Sequence, residues 1–106
     1  MNMPPIVEAY FEADRRNELD AMAKAFSVDA IVRDEAVIHK GIAAIRDWWS
    51  AAKAKYNHVA QPLEVAHAGE QIVVRAEVTG DFPNSPVTLD FFFTVEDGKI
   101  IALEIR

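Results

Sequence analysis

Apolar residues recur at two periods along this chain, and the change of period divides it. Pro4 and Pro5 open a helix, because a proline in the first turn gives up only an N–H that would be unpaired there. Ile6, Ala9, Tyr10 and Ala13 follow at helical spacing, with Glu8, Glu12 and Arg16 directed elsewhere. Asn17 and Asp20 introduce a second, short helix whose apolar face is Leu19, Met22, Ala23 and Phe26. The β-prone run Ala30-Ile31-Val32 is separated by Arg33-Asp34-Glu35 from Val37-Ile38-His39, which predicts a short hairpin or bent strand. After Gly41, the residues Ile42, Ile45, Trp49 and Ala52 fall on one face of a third helix reaching Lys55, with Arg46, Asp47 and Lys53 toward solvent.

From Val59 onward the period is two. Val59 to His67, Ile72 to Thr79 and Val87 to Val95 read as long strands, and Ile100 to Ile105 as a closing one. Ala68-Gly69-Glu70 turns the first pair, Pro83-Asn84-Ser85-Pro86 makes a rigid connection, and Asp97-Gly98 is a strong two-residue hairpin signal. The predicted class is therefore α+β: three N-terminal helices packed on one face of a curved, mainly antiparallel sheet. The 106 residues contain no repeat, low-complexity tract or linker, so residues 1–106 are expected to form a single domain.

Composition narrows the function classes. Hydrophobic residues make up 51% and charged residues 26%, which provides a core and argues against intrinsic disorder. The net charge of −6, with no basic run, argues against nucleic acid as a partner. With no cysteine there is no disulfide framework, thiolate nucleophile or cysteine-based zinc site. No stretch has the length of a membrane span and the N-terminus has no signal-peptide pattern, so a soluble, cytoplasmic protein without membrane contact is expected.

Asp90 is the most informative polar residue, because it stands inside Val87-Thr88-Leu89-Asp90-Phe91-Phe92-Phe93. Strand parity puts Leu89, Phe91, Phe93 and Val95 on one face and Thr88, Asp90, Phe92 and Thr94 on the other. That second, mixed face fits either a pocket wall or a wet outer surface. Asp34 at a strand end and Tyr10 on the first helix each have an ordinary structural reading, as a turn carboxylate and a core tyrosine. Trp48 and Trp49 point about 100° apart on a helix, so Trp49 belongs to the core stripe and Trp48 to a pocket or interface. His39 is read as a strand-end histidine able to partner Asp34 or Glu35, while His58 and His67 are read as surface residues. His39, Asp34 and Glu35 have no recognised metal-ligand spacing, and no metal or cofactor is implied.

Taken in order, a helix with Tyr10, the segment Ala25-Phe26-Ser27-Val28-Asp29-Ala30-Ile31-Val32-Arg33-Asp34, Gly41 through Trp48, Leu89-Asp90-Phe91-Phe92-Phe93 and the hairpin Asp97-Gly98-Lys99-Ile100 cover nearly the whole chain. This order resembles the nuclear transport factor 2-like (NTF2-like) superfamily, and within it the small SnoaL-like proteins and ketosteroid isomerase. The resemblance implies a conical, cystatin-like half-barrel with a deep apolar pocket between sheet and helix. It also implies a homodimer formed through the sheet.

Carried over residue by residue, the resemblance implies Asp34 as general base, Tyr10 as hydrogen-bonding phenol and Asp90 as a protonated acid aimed at the same oxyanion. Trp48, Phe92 and Phe82 would keep the site dry, and Glu35 and His39 would stand beside the base. Glu35 departs from the isomerase, which has a proline there, so the substrate is expected to differ. An Asp-Arg-Asp constellation of the epoxide hydrolase kind would need Arg33 or Arg75, and strand parity sets Arg33 opposite Asp34.

Two functions follow. One is an acid/base enzyme that isomerises, cyclises or dehydrates a small apolar carbonyl compound. The other is a non-catalytic ligand-binding or dimerisation module on the same fold. A buried Asp90 facing a cavity beside Tyr10 favours the first, and a solvent-facing Asp90 the second.

Overall fold

The structure, a computed structural model, describes residues 2–106. Helix α1 (Pro5–Arg16) buries Val7, Tyr10, Phe11, Ala13 and Asp14 on its inner side. It ends where Asn17 turns left-handed, and the N–H groups of Asn17 and Glu18 bond the carbonyls of Asp14 and Ala13 at 3.1 and 2.9 Å. Helix α2 (Leu19–Lys24) is a single short element that buries Met22 and Ala23.

Strand β1 (Phe26–Asp34) begins earlier than its sequence pattern indicates. Phe26, assigned from spacing to the second helix, is instead a buried strand residue packed edge-on to Tyr10 at 5.8 Å. Strand β2 (Val37–Lys40) pairs back onto it with Asp34 opposite Val37, so Glu35 and Ala36 are the whole turn. Helix α3 (Ile42–Tyr56) follows and buries Ile45 and Trp49 as the spacing requires. Strands β3 (Val59–Ala68), β4 (Gln71–Thr79), β5 (Val87–Glu96) and β6 (Lys99–Ile105) complete the chain.

All six strands form one sheet in the order β2-β1-β6-β5-β4-β3. Its pairs are antiparallel except β1 with β6, which are parallel, so the sheet is mixed. The helices are not grouped ahead of the sheet, because the β1–β2 hairpin is inserted between α2 and α3. Register shifts in β1, in β3 between Pro62 and Glu64, and between Thr94 and Val95 bend the strands so that the sheet curves around the helices. Alternation is clean on β4, where Ile72, Val74, Ala76 and Val78 are buried and the intervening residues are mostly exposed. Among the described residues, no helix is long and apolar enough to cross a membrane.

Phe93 lies at the centre, fully buried with Ile45, Ile100, Leu103, Val32 and Val74. Tyr10, Phe11, Phe91 and Phe93 form an aromatic cluster with ring centroids 5.2–6.5 Å apart. This cluster joins α1 to the inner face of β5.

The turn of the first hairpin is strained. Glu35 and Ala36 both have positive φ, 52° and 63°, as a two-residue hairpin turn with the right twist requires, although glycine or asparagine suits those positions better. Ala36 is exposed. Ala36→Gly is therefore expected to raise stability by about 0.5–1 kcal/mol in urea unfolding. A loss of stability would contradict the turn geometry.

Candidate functional site

Between α1, α3 and the inner face of the sheet lies a cavity of about 510 Å³, within the range of small-molecule sites. Its apolar wall is built from Val78, Phe82, Val87, Leu89, Phe91 and Ile105. Tyr10, Asp34, Glu35, Trp48, Tyr56 and His58 add polar groups.

Asp34 ends β1 and takes a hydrogen bond on Oδ2 from Trp48 Nε1 at 3.0 Å. One carboxylate oxygen is thereby fixed by α3 and the other is left to the cavity. Tyr10 comes from the middle of α1, only 2% exposed. Its hydroxyl makes no hydrogen bond within the described chain, and no buried side-chain nitrogen or oxygen lacks a partner there, so the hydroxyl opens to the cavity. Burial pushes its phenol well above the ordinary range, and the carboxylates of Asp14 and Asp34 push it the same way. Tyr10 is thus a neutral donor.

Glu35 lines the mouth beside Asp34, and Phe82 lines the far wall, edge-on to Tyr56 at 5.9 Å. The remaining expected site residues lie elsewhere. Asp90 is not in the cavity: parity turns it to the outer face of β5, where Arg75 directly opposite on β4 donates from Nε to Oδ1 at 3.0 Å. Its side chain is 31% exposed. The expected convergence of Tyr10, Asp34 and Asp90 is therefore corrected to Tyr10 and Asp34 alone. Phe92 shares the outer face with Asp90, and Arg106 lies 4.5 Å over its ring. His39 sits behind Trp48, with ring centroids 6.0 Å apart, and does not line the cavity.

Behind His58 on the cavity wall stands a buried polar cluster that the sequence reading missed. Asp14 is 1% exposed, the one buried charged residue among those described. Its Oδ1 accepts from Trp49 Nε1 at 3.1 Å, and its Oδ2 accepts from the Ala60 N–H at 3.1 Å. Lys53 Nζ and His58 Nε2 each lie 3.2 Å from Oδ1. Lys53 is not on the solvent side of α3, as its spacing had placed it, but also donates to the backbone carbonyls of Asp14 and His58. Burial alone would push the Asp14 carboxyl up, but His58, Lys53 and the Ala60 N–H outweigh it and hold the pKa below the usual value.

His58 is set in place by backbone as well. Asn57 ends α3 in a left-handed conformation, and the Asp81 N–H bonds the Tyr56 carbonyl at 2.6 Å. Gly80 approaches so closely that a Cβ there would stand 2.7 Å from the Tyr56 carbonyl oxygen and 3.1 Å from His58 Cα. Signals for both missed residues existed. Asp14 interrupts the buried stripe of α1 four residues after Tyr10, and His58 shares strand parity with buried Ala60.

Residues 7–103 match the SnoaL-like domain. The chain belongs to the SnoaL-like family. It is 49% identical to a candidate polyketide cyclase of Sinorhizobium meliloti whose crystal structure superposes with a TM-score of 0.95, covering 98% of this chain and 95% of that one. A protein of Catenulispora acidiphila with a ketosteroid isomerase-like fold, solved with trimethylamine, is 19% identical with a TM-score of 0.85, covering 99% and 86%. A candidate polyketide cyclase of Xanthomonas campestris is 23% identical with a TM-score of 0.80, covering 94% and 85%. The last two show the shared fold. No curated protein matches the chain in sequence.

In this SnoaL-like chain the Asp14 cluster supports the site mechanically. Asp14→Ala leaves Lys53 a buried charge without its partner and two N–H groups unbonded, so it should cost about 3–5 kcal/mol. Because the folded pKa of Asp14 lies below its unfolded one, its contribution is complete above the usual carboxylate value and is lost as pH falls through the depressed folded value. Urea unfolding of the wild type and of Asp14→Asn across acidic pH should show curves far apart near neutrality that draw together toward acid. A pH-independent gap would contradict the assigned charge.

Proposed function

We propose that this SnoaL-like protein binds a small apolar carbonyl compound in the inner cavity and carries out acid/base chemistry on it, with Asp34 as base and Tyr10 as donor. The observation that carries the reading is the placement of a fixed carboxylate and a neutral phenol on the walls of one apolar cavity. Asp34 would take a proton from the carbon next to the carbonyl, and the Tyr10 hydroxyl would hydrogen-bond the enolate oxygen as charge develops there. The apolar wall of Leu89, Phe91, Val87 and Phe82 strengthens both interactions by excluding water.

Trp48 fixes the carboxylate orientation, so less of the barrier goes into arranging the base. The 49% identical neighbour described as a candidate polyketide cyclase supports a polyketide-like carbonyl compound as the substrate class. Isomerisation, cyclisation and dehydration all begin with the same proton removal. Asp90 has no part in this reading. A homodimer, with the outer sheet face as the contact, goes with it.

Asp90's pairing with Arg75 outside the cavity favours the second reading, a ligand-binding module without catalysis. A thermal-shift screen of enones and polyketide-like ketones, followed by turnover of the compounds that bind, separates the two. Asp34→Asn should lower turnover by about a hundredfold or more, and Tyr10→Phe by a similar factor. Asp90→Asn should leave turnover unchanged. Turnover that survives in Asp34→Asn would exclude Asp34 as base, and ligands that bind without turnover would establish the module.

A further inference from the structure

Resting on the acid/base reading above, we infer that the cavity selects carbonyl compounds that carry a protonated amine at the end remote from the carbonyl, with Glu35 holding the ammonium at the mouth. The polar groups of the cavity are graded by depth. Tyr10 is 2% exposed and its hydroxyl has no partner within the described chain, Asp34 is half-buried, and Glu35 is exposed. All three line the same space of about 510 Å³. A ligand that reaches from the phenol to the mouth therefore meets a neutral donor at its inner end and a carboxylate at its outer end.

The charges around this space do not balance. Asp34 accepts a hydrogen bond from the uncharged Trp48 indole, and neither Asp34 nor Glu35 has an ion-pair partner among the described residues. The basic groups that border the cavity are already matched, Arg106 by Glu104 at 3.1 Å and His58 by Asp14 at 3.2 Å. Two neighbouring carboxylates beside an apolar space repel each other and any anion, and they attract a cation.

The walls decide which cation fits. Trp48, Tyr56, Phe82 and Phe91 line the cavity, and the rings of Tyr56 and Phe82 stand at 90° with centroids 5.9 Å apart. Lys55 lies 5.1 Å over the Tyr56 ring but does not line the cavity, so it leaves the inner space open. Aromatic rings attract an alkylated ammonium, which sheds its water more readily than a compact ion. Among the described residues no three histidine, aspartate or glutamate side chains converge as metal ligands, so an inorganic cation would be poorly held there. With the ammonium at Glu35, Asp34 stays free to take the proton next to the carbonyl.

The test compares three ketones of similar shape and different charge: 5-(dimethylamino)pentan-2-one, protonated near neutrality, its uncharged isostere 6-methylheptan-2-one, and the anion 5-oxohexanoate. NMR titration of the Trp48 indole N–H reads binding, and deuterium exchange next to the carbonyl reads the acid/base reaction. The ammonium ketone should bind about tenfold more tightly than the uncharged one, and the anion more weakly than either. Glu35→Gln should lower the preference for the ammonium ketone by about threefold or more. Asp97→Asn, which removes a carboxylate from the exposed β5–β6 turn, should not change it.

Equal affinity for the ammonium and uncharged ketones overturns this inference, as does a preference untouched by Glu35→Gln or equally reduced by Asp97→Asn. Exchange of the uncharged ketone in those cases leaves the acid/base reading standing. A charge preference that depends on Glu35, with exchange absent from every ketone, upholds the selectivity and removes the acid/base reading. Failure of all three ketones to bind removes both.

Discussion

One buried carboxylate holds the cavity in shape. Asp14 sits where three elements meet, and each supplies a donor: Trp49 and Lys53 from α3, the Ala60 N–H from β3, and His58 from the segment between them. A lone charge in such a place would be strongly unfavourable, and it is stabilised only because every oxygen is matched by a donor. The same requirement fixes the spacing of α1 from α3, and with it the gap between helices and sheet. The cavity is the space left over once that carboxylate is satisfied.

The placement of the cavity's phenol and carboxylate follows from this constraint. Tyr10 is one helical turn before Asp14, so anchoring the carboxylate also aims the phenol at the inner face of β5. Phe91 and Phe93 meet it there, and Phe26 closes the other side. Asp34 reaches the cavity from the opposite edge because the two-residue turn at Glu35 and Ala36 ends β1 there and Trp48 catches its carboxylate. The outer face of the sheet is chemically separate. Arg75 and Asp90 satisfy one another there without reaching the cavity, while Arg106, paired with Glu104 and lying over Phe92, also borders the cavity rim.

Much of the architecture was legible in the sequence because periodicity reports burial directly. The stripe of Ile42, Ile45, Trp49 and Ala52 reappears as a face with Ile45 and Trp49 buried and its two ends half-buried, and the alternation of β4 reappears as a buried face. Phe26 was not legible: a single phenylalanine after a short apolar stripe fits a helix or a strand equally, and its pairing with distant Ile100 decides. Parity correctly separated Asp90 and Phe92 from Leu89 and Phe91. It could not say which face was inward, because both carry aromatic residues. Family resemblance placed Asp90 inside, but Arg75, opposite it on the outer face, compensates its charge there. Asp14 and His58 escaped notice because their significance lies in contacts 46 and 44 residues apart along the chain, from Asp14 to Ala60 and to His58.

Ligand is expected to enter the inner cavity and to leave the outer face of the sheet untouched. The most direct test is an NMR titration of the isotope-labelled wild type with a small apolar ketone. Shifts should concentrate on the Trp48 indole N–H and on Tyr10, Leu89 and Phe91, with Asp90 and Phe92 undisturbed. Shifts centred on Asp90, Phe92 and Arg75 with the inner residues silent would contradict it.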